Sequence, residues 1–208
     1  MKKIINLILL QFETVFALKK YMAIILAIAS FMVITQPNML PFAGALFIMS
    51  TCYNSAFYEE KSKMNYLVYS LPIKINEYIA SKYIFVAINT LISMGISAVL
   101  YLIMTNFNII SSEANFPLWA LMLILAGIGI FMMTLLIPLE LLLGFEKARI
   151  ALVFLTVFPM VFSTELVNLL PQIDITSNIV IILIALIVFT VVLASYFITS
   201  NLFVKKEV

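Results

Sequence analysis

Residues 57–82 read FYEEKSKMNYLVYSLPIKINEYIASK, and this polar stretch interrupts a chain that is otherwise almost entirely apolar. We call residues 57–82 the polar island. Its charged side chains are Glu59, Glu60, Lys61, Lys63, Lys74, Glu77 and Lys82. The apolar segments on both sides are long enough to cross a bilayer. The polar island is therefore predicted to be a loop at one face of a membrane.

The overall composition points the same way. Apolar residues make up 64% of the 208 residues and charged residues only 11%. A water-soluble domain of this size could not bury so much apolar surface. The apolar runs are continuous rather than alternating, which is typical of membrane helices and not of barrel strands. The sequence predicts an all-α membrane protein in contact with the lipid bilayer.

The apolar runs predict six transmembrane helices, since a bilayer core is crossed by roughly 20 helical residues. Residues 35–38, Thr-Gln-Pro-Asn, divide the first long run into two. The six predicted spans cover residues 18–35, 39–57, 83–105, 116–143, 149–170 and 178–203. Ser93 and Ser97 in the third span have the four-residue spacing that allows close helix contact. We treat residues 1–208 as a single transmembrane domain.

Residues 1–20 precede the first span and have an amphipathic pattern. On a helical wheel Lys2, Asn6 and Glu13 fall on one arc. The opposite arc carries Ile5, Ile8, Phe12, Val15 and Phe16. This pattern predicts an interfacial helix along the inner leaflet that turns into the first span at Lys19 and Lys20. A simple membrane anchor is the alternative.

The distribution of cations predicts the orientation. All 12 lysine and arginine residues lie before or at the start of span one, in the polar island, between span four and the start of span five, or after span six. Lysine and arginine in short loops stay on the cytoplasmic side. The opposite loops carry only Glu113, Glu165 and Asp174 as charged residues. Both termini and residues 58–82, the predicted cytoplasmic loop, are therefore expected on the inside of the plasma membrane. The cations form no basic patch, so nucleic-acid binding is not predicted.

The first half of the polar island has the pattern of a short amphipathic helix. Glu59 and Lys63 are spaced as i,i+4 ion-pair partners in the favoured order. Met64, Leu67 and Val68 form an apolar side. A solvated connector is the alternative, but a loop this long usually has structure or purpose.

A second helix is predicted after Pro72. Proline disfavours helix at Leu71 and suits the first turn of a new helix, for which Ser70 is a candidate N-cap. The second helix is predicted to run from Ile73 to Lys82 and directly into the third span.

Two carboxylates in or beside the spans have a possible role in transport or helix pairing. Glu140 follows Pro138, which can kink the fourth span and free a carbonyl. Glu140 can pair with Lys147 or Arg149, and a transport role is the alternative. Glu165 belongs to the fifth segment, where a plain kink or a re-entrant end are both open.

Several chemistries lack their residues. The chain has no histidine, and its single cysteine, Cys52, lies within the second span. No Gly-Lys-Ser/Thr sequence exists to bind the phosphates of ATP in a P-loop. We therefore predict no catalytic, cofactor-binding or metal site, and not an enzyme.

Three segments of the polar island resemble the permease subunits of ABC-2 type transporters, in particular the small six-helix members of Gram-positive bacteria. They are Phe57-Tyr58-Glu59-Glu60, Ser70-Leu71-Pro72-Ile73 and the run from Glu77 to Tyr83. Span count, cytoplasmic termini and the amphipathic first helix extend the likeness over the chain. The resemblance implies a type V exporter-like architecture.

The resemblance also implies partners. In this family the loop between spans two and three carries a coupling helix that docks on a separate ATP-binding subunit, which holds the ATP and Mg²⁺. Two permease subunits, identical or sister chains, form the path. The implied ATPase-contacting residues here are Glu59, Glu60, Lys61, Lys63, Met64, Tyr66, Leu67, Ser70 and Leu71.

Export driven by a partner's ATP hydrolysis is thus the expected function. Few ionisable residues occur away from the span ends, which suits a hydrophobic or amphipathic cargo such as an antimicrobial peptide, toxin, lipid or drug. The alternative is a non-transporting immunity or scaffold protein of an antimicrobial peptide system. An autonomous channel would need a polar pore that the sequence does not show.

Overall fold

A computed structural model describes residues 2–17, 19–35, 39–62, 73–107, 118–150 and 178–206. Every regular element in these residues is helical. By their internal contacts they form two compact units, Met1–Met133 and Thr134–Val208. The chain is therefore an all-helical protein, as predicted.

The described residues of the first unit form five α-helices. They are α1 (Lys2–Ala17), α2 (Lys19–Thr35), α3 (Leu40–Lys61), α4 (Ile75–Asn106) and α5 (Leu118–Phe131). Helix α3 packs against all four others, and α1 also packs against α4. Helix α3 is consequently the centre of this unit, and the helical ends that flank the polar island are held by packing on several sides.

Helix α1 has one face on the protein. Leu7, Gln11 and Val15 follow one another every four residues and are buried. Ile5 and Phe16, both on the predicted apolar arc, are exposed. Residues 2–17 are therefore helical and pack along one side, while the amphipathic, interfacial character of this helix stays a prediction.

Small residues bring α3, α4 and α5 into close contact. The Ser93 hydroxyl on α4 donates a hydrogen bond to the Gly44 carbonyl on α3 at 2.8 Å. A Cβ atom at Gly44 would lie 2.6 Å from Ser97 Oγ. A Cβ atom at Gly129 on α5 would lie 2.9 Å from the Cβ atom of Thr90. The close contact predicted from the spacing of Ser93 and Ser97 is confirmed.

Helix α5 continues into a π-helix, Met132–Leu136, followed by α6 (Ile137–Leu143). Residues 145–150 are also helical, and α7 spans Asn178–Lys206. Pro138 has no N–H group to donate to the carbonyl of Thr134, four residues earlier. The Ser195 hydroxyl on α7 donates to that carbonyl at 3.3 Å. Helix α7 thus contacts the backbone of the span near Pro138, while the kink and the freed carbonyl stay predictions.

Three helical segments of the described residues are long and apolar enough to cross a membrane. They are Ile75–Asn106, Leu118–Leu143 and Leu186–Phe203. Helices α1 and α2, with a bend of 72° between them, make a fourth if they count as one broken span. The predicted spans 18–35 and 39–57 lie on α2 and α3, but α2 counts only together with α1 and α3 is not among these segments. Nearly all of the predicted span 149–170 lies outside the described residues, so the count of six stays a prediction.

Candidate functional site

Both ends of the predicted cytoplasmic loop of residues 58–82 are helical. Helix α3 continues to Lys61, and α4 begins at Ile75, so residues 58–61 and 75–82 are helical. The structure does not describe residues 63–72. Most of the predicted amphipathic helix falls in this gap, as do the predicted ATPase contacts Lys63, Met64, Tyr66, Leu67, Ser70 and Leu71. The prediction of Ser70 as N-cap of the second helix is wrong, because Lys74 holds that position.

The start of α4 is defined by a side chain from its own first turn. The Lys74 backbone N–H donates to Glu77 Oε2 at 3.2 Å. This contact is half of a capping box. The negative charge of the Glu77 carboxylate also interacts favourably with the positive end of the helix dipole. The helix begins at Ile75, two residues after the predicted start, and runs without a break into the apolar span as predicted.

A buried ion pair joins the two helices at the base of the polar island. Lys82 Nζ on α4 lies 2.7 Å from Glu59 Oε2 on α3, and their side chains are only 6% and 4% exposed. The Tyr78 hydroxyl donates to the same Glu59 oxygen at 2.7 Å. The Ser55 hydroxyl lies 3.5 Å from the other oxygen, Oε1. We call Ser55, Glu59, Tyr78 and Lys82 the base cluster.

The spacing of these residues explains why they meet. Ser55 and Glu59 are four residues apart on α3, and Tyr78 and Lys82 are four residues apart on α4. Residues at this spacing lie one above the other on the same helix face. The two faces are therefore turned towards each other, and Lys82 Nζ also lies 5.4 Å from the centroid of the Tyr78 ring, within cation–π range.

Helix α1 reaches the same region. The Ser81 hydroxyl, next to Lys82, donates to the Tyr78 carbonyl at 2.6 Å. Gln11 Nε2 on α1 donates to Ser81 Oγ at 3.5 Å. Gln11 Oε1 is buried and has no hydrogen-bond partner within the described part of the chain. Three helices thus contribute polar side chains beside the base cluster.

The electrostatic character of the base cluster follows from its burial. Removing a carboxylate and an ammonium group from water is costly, and only a close, hydrogen-bonded pair offsets that cost. The base cluster provides this geometry on the carboxylate of Glu59, which contacts an ammonium group and a phenol at 2.7 Å. The base cluster thus joins α3 and α4 through buried polar contacts.

The environment of Glu59 differs from the one that the sequence suggested, while its contact with an ATPase stays a prediction. Glu59 was expected to face an ATPase partner and to pair with Lys63, but its carboxylate is buried against Lys82. Glu60 and Lys61, the next two predicted contacts, are exposed. Opposite charges close to the facing ends of two neighbouring spans were the signal that sequence reasoning missed, because it assigned Lys82 to the solvated loop.

A second polar contact lies further along α3 and α4, and the sequence analysis missed it. The Asn89 side chain is buried and its Nδ2 donates to the Thr51 hydroxyl and, at 3.4 Å, to the Ile48 carbonyl. Cys52 Sγ lies 3.7 Å from the same nitrogen. An asparagine in an apolar run was the available signal, because a buried amide needs hydrogen-bond partners. These contacts connect the two helices in addition to the base cluster.

The structure says less about the two other predicted carboxylates, Glu140 and Glu165. Glu140 is half-buried on α6, and Lys147 and Arg149 are exposed in the helical residues 145–150. The pairing and transport roles of Glu140 stay predictions, and Glu165 lies outside the described residues. Within the described ranges no group of three or more His, Cys, Asp or Glu side chains is arranged to hold a metal ion.

Apolar helices of membrane-spanning length, joined by buried polar contacts, define a multi-pass membrane protein. Residues 6–204 match the model of a family described as ABC-2 family transporter protein. The match covers almost the whole chain, so the protein belongs to this family, whose members are transmembrane components of transporters. The resemblance found in the polar island is confirmed. No curated protein and no solved structure matches the chain.

Proposed function

We propose that the protein is the membrane-spanning permease subunit of an ATP-binding cassette exporter in a bacterial plasma membrane. Family membership over residues 6–204 is the observation that carries this proposal. A separate subunit hydrolyses ATP and holds the nucleotide and Mg²⁺, since this chain has no Gly-Lys-Ser/Thr sequence. Two permease subunits, identical or sister chains, form the translocation path.

The polar island is the proposed docking site for the ATPase. It connects α3 to α4, and its described ends present exposed charges at Glu60, Lys61 and Lys74. Below these charges the base cluster holds the two helices together. Exposed charges at an interface set partner choice and association rate. The arrangement supports a docking surface on a firmly held base.

We expect Glu60→Lys to reduce co-purification of the ATPase encoded by an adjacent gene, because it reverses an exposed charge at the docking surface. The loss should be tenfold or more, about 1.4 kcal/mol or greater in binding free energy. The amount of ATPase retained on the tagged permease at low salt measures it. Glu13→Lys is the matched control, since Glu13 is also exposed but lies on α1. Equal retention by wild type and Glu60→Lys would contradict the docking surface.

The proposed cargo is hydrophobic or amphipathic, such as a peptide, toxin, lipid or drug. Buried polar groups deeper between α3 and α4 are uncharged, namely Thr51, Asn89 and Ser93. A sugar or an inorganic ion would need charged or dense polar ligands along its path. The described helices favour an amphiphile.

A non-transporting immunity protein makes a different prediction. If the system protects cells from an antimicrobial peptide by export, protection should disappear when the partner ATPase carries an inactive Walker motif, because transport then has no energy source. Survival in the presence of the peptide measures this, with equal membrane levels of the permease as the control. Protection that persists would favour the immunity role.

The proposed topology has six spans, an interfacial α1 and both termini in the cytoplasm. The positions of the 12 cations support the cytoplasmic location of the termini. A fluorescent protein fused after Val208 should fold and fluoresce, because it stays in the cytoplasm. Alkaline phosphatase inserted within residues 108–115 should be active, because that loop is predicted to lie outside. The reverse pattern of the two reporters would overturn the orientation.

A further inference from the structure

We propose that Glu59 and Lys82 are positioning residues that hold α3 and α4 in one fixed register, so that the polar island transmits the partner's motion to both helices as a unit. This inference rests on the proposed function and deepens it. It assigns to the base cluster a role different from that of the exposed residues that would contact the ATPase.

The ion pair lies where α3 and α4 meet the polar island. Glu59 lies in the last turn of α3, which ends at Lys61, and Lys82 lies in the second turn of α4, which begins at Ile75. The ion pair therefore links the two ends of the polar island. Any force applied to the island reaches α3 and α4 through these two turns.

The Glu59–Lys82 ion pair differs from an apolar contact between the same helices. Apolar side chains would hold two helices together equally well, since buried ion pairs are weak sources of stability compared with good apolar packing. An ion pair differs in its directionality. Sliding one helix by a single residue is a movement of about 1.5 Å. That movement would break the 2.7 Å contacts of Glu59 with both Lys82 and Tyr78. The buried charges therefore specify the register at this end of α3 and α4, as the Ser93–Gly44 hydrogen bond does further along the same helices.

Helix α1 lies beside the Glu59–Lys82 contact. Gln11 on α1 donates to Ser81, and Ser81 donates to the Tyr78 carbonyl. Tyr78 is also the phenol that contacts Glu59. The register of α3 and α4 is thus connected to α1, and three helices would move together when the polar island moves.

The experiment measures the distance between spin labels on the two sides of the polar island in the purified full-length permease. The labels are attached at Lys61→Cys and Lys74→Cys, because both lysines are exposed. The background is Cys52→Ala, which removes the chain's single cysteine. The informative variant is Glu59→Leu/Lys82→Met, which removes both charges and keeps apolar volume. The charge-swapped variant Glu59→Lys/Lys82→Glu tests for rescue.

We expect one narrow distance peak with the natural pair, loss of that peak in the apolar double variant, and its return in the charge-swapped variant. The double variant should denature at the same denaturant concentration as the natural pair, so that the loss reports register and not unfolding. A narrow, unshifted peak in the folded double variant would overturn the proposal. This measurement uses no ATPase, so it stands even if the proposed transport partner does not bind.

A second measurement separates positioning from docking. In the reconstituted complex, Glu59→Leu/Lys82→Met should keep the ATPase bound but lose the stimulation of ATP hydrolysis by the permease, because the bound partner no longer acts on a fixed base. Glu60→Lys should instead lose the ATPase itself. Retained stimulation in the double variant would overturn the coupling role. Failure of the natural permease to retain any ATPase would count against the proposed function and leave the distance result unaffected.

Discussion

Lys82→Met is expected to lower the free energy of unfolding by about 3–5 kcal/mol, the cost of leaving one member of a buried ion pair without its partner. The Glu59 carboxylate would remain buried, with the Tyr78 hydroxyl at 2.7 Å but no counter-ion at the position of Lys82 Nζ. Methionine fills most of the volume of the lysine stem, so lost packing contributes little. Chemical denaturation of the purified protein in detergent micelles measures the change.

Two further variants identify the cause. Glu59→Leu/Lys82→Met should recover most of the lost stability, because replacing both buried charges by apolar groups is often neutral or stabilising. Tyr78→Phe should cost about 1.5–3 kcal/mol, as expected for a hydrogen bond to a charged group, while the ion pair persists. If Lys82→Met cost less than about 1 kcal/mol, the pair would behave as a solvated surface pair, contrary to its observed burial.

The helices of the first unit could be predicted largely from where apolar runs begin and break. Thr35 ends α2 and Leu40 begins α3, close to the predicted break at residues 35–38. The start of α4 was predicted at Ile73 and is found at Ile75, where the Glu77 carboxylate caps the first turn. Local patterns define such boundaries because caps and breaks depend on a few neighbouring residues.

The base cluster could not be predicted in the same way. Its two halves are separated by the polar island, and the partner of Glu59 is fixed by tertiary packing rather than by local spacing. From the sequence, Lys63 was an equally reasonable partner, at the i,i+4 spacing typical of exposed helix pairs. Hydropathy also treats every charge as solvent-exposed, so Lys82 was expected to be a solvated cation at the end of the second predicted helix. The structure buries Lys82 within a helix because Glu59 and Tyr78 satisfy it.

Gly129→Ala is expected to destabilise the first unit by about 1–3 kcal/mol, the usual cost of overpacking a tight contact. The added methyl group would lie 2.9 Å from the Cβ atom of Thr90, and closer still to the Thr90 hydroxyl and methyl groups. Thr90 is buried, and its hydroxyl donates to the Val86 carbonyl at 2.8 Å, so the side chain is not free to turn away. Helices α4 and α5 would have to separate, which removes contact along both.

Gly127→Ala is the matched control, because it lies two residues away on the same helix and a Cβ atom there meets nothing within 4 Å. Alanine is favoured over glycine in a helix by about 1 kcal/mol, so Gly127→Ala should be neutral or stabilising. The same helix preference acts at Gly129, and the difference between the two variants therefore isolates the contact with Thr90. Denaturation in detergent micelles measures both variants. If Gly129→Ala and Gly127→Ala were equally stable, α4 and α5 would not be in close contact at Gly129 and Thr90.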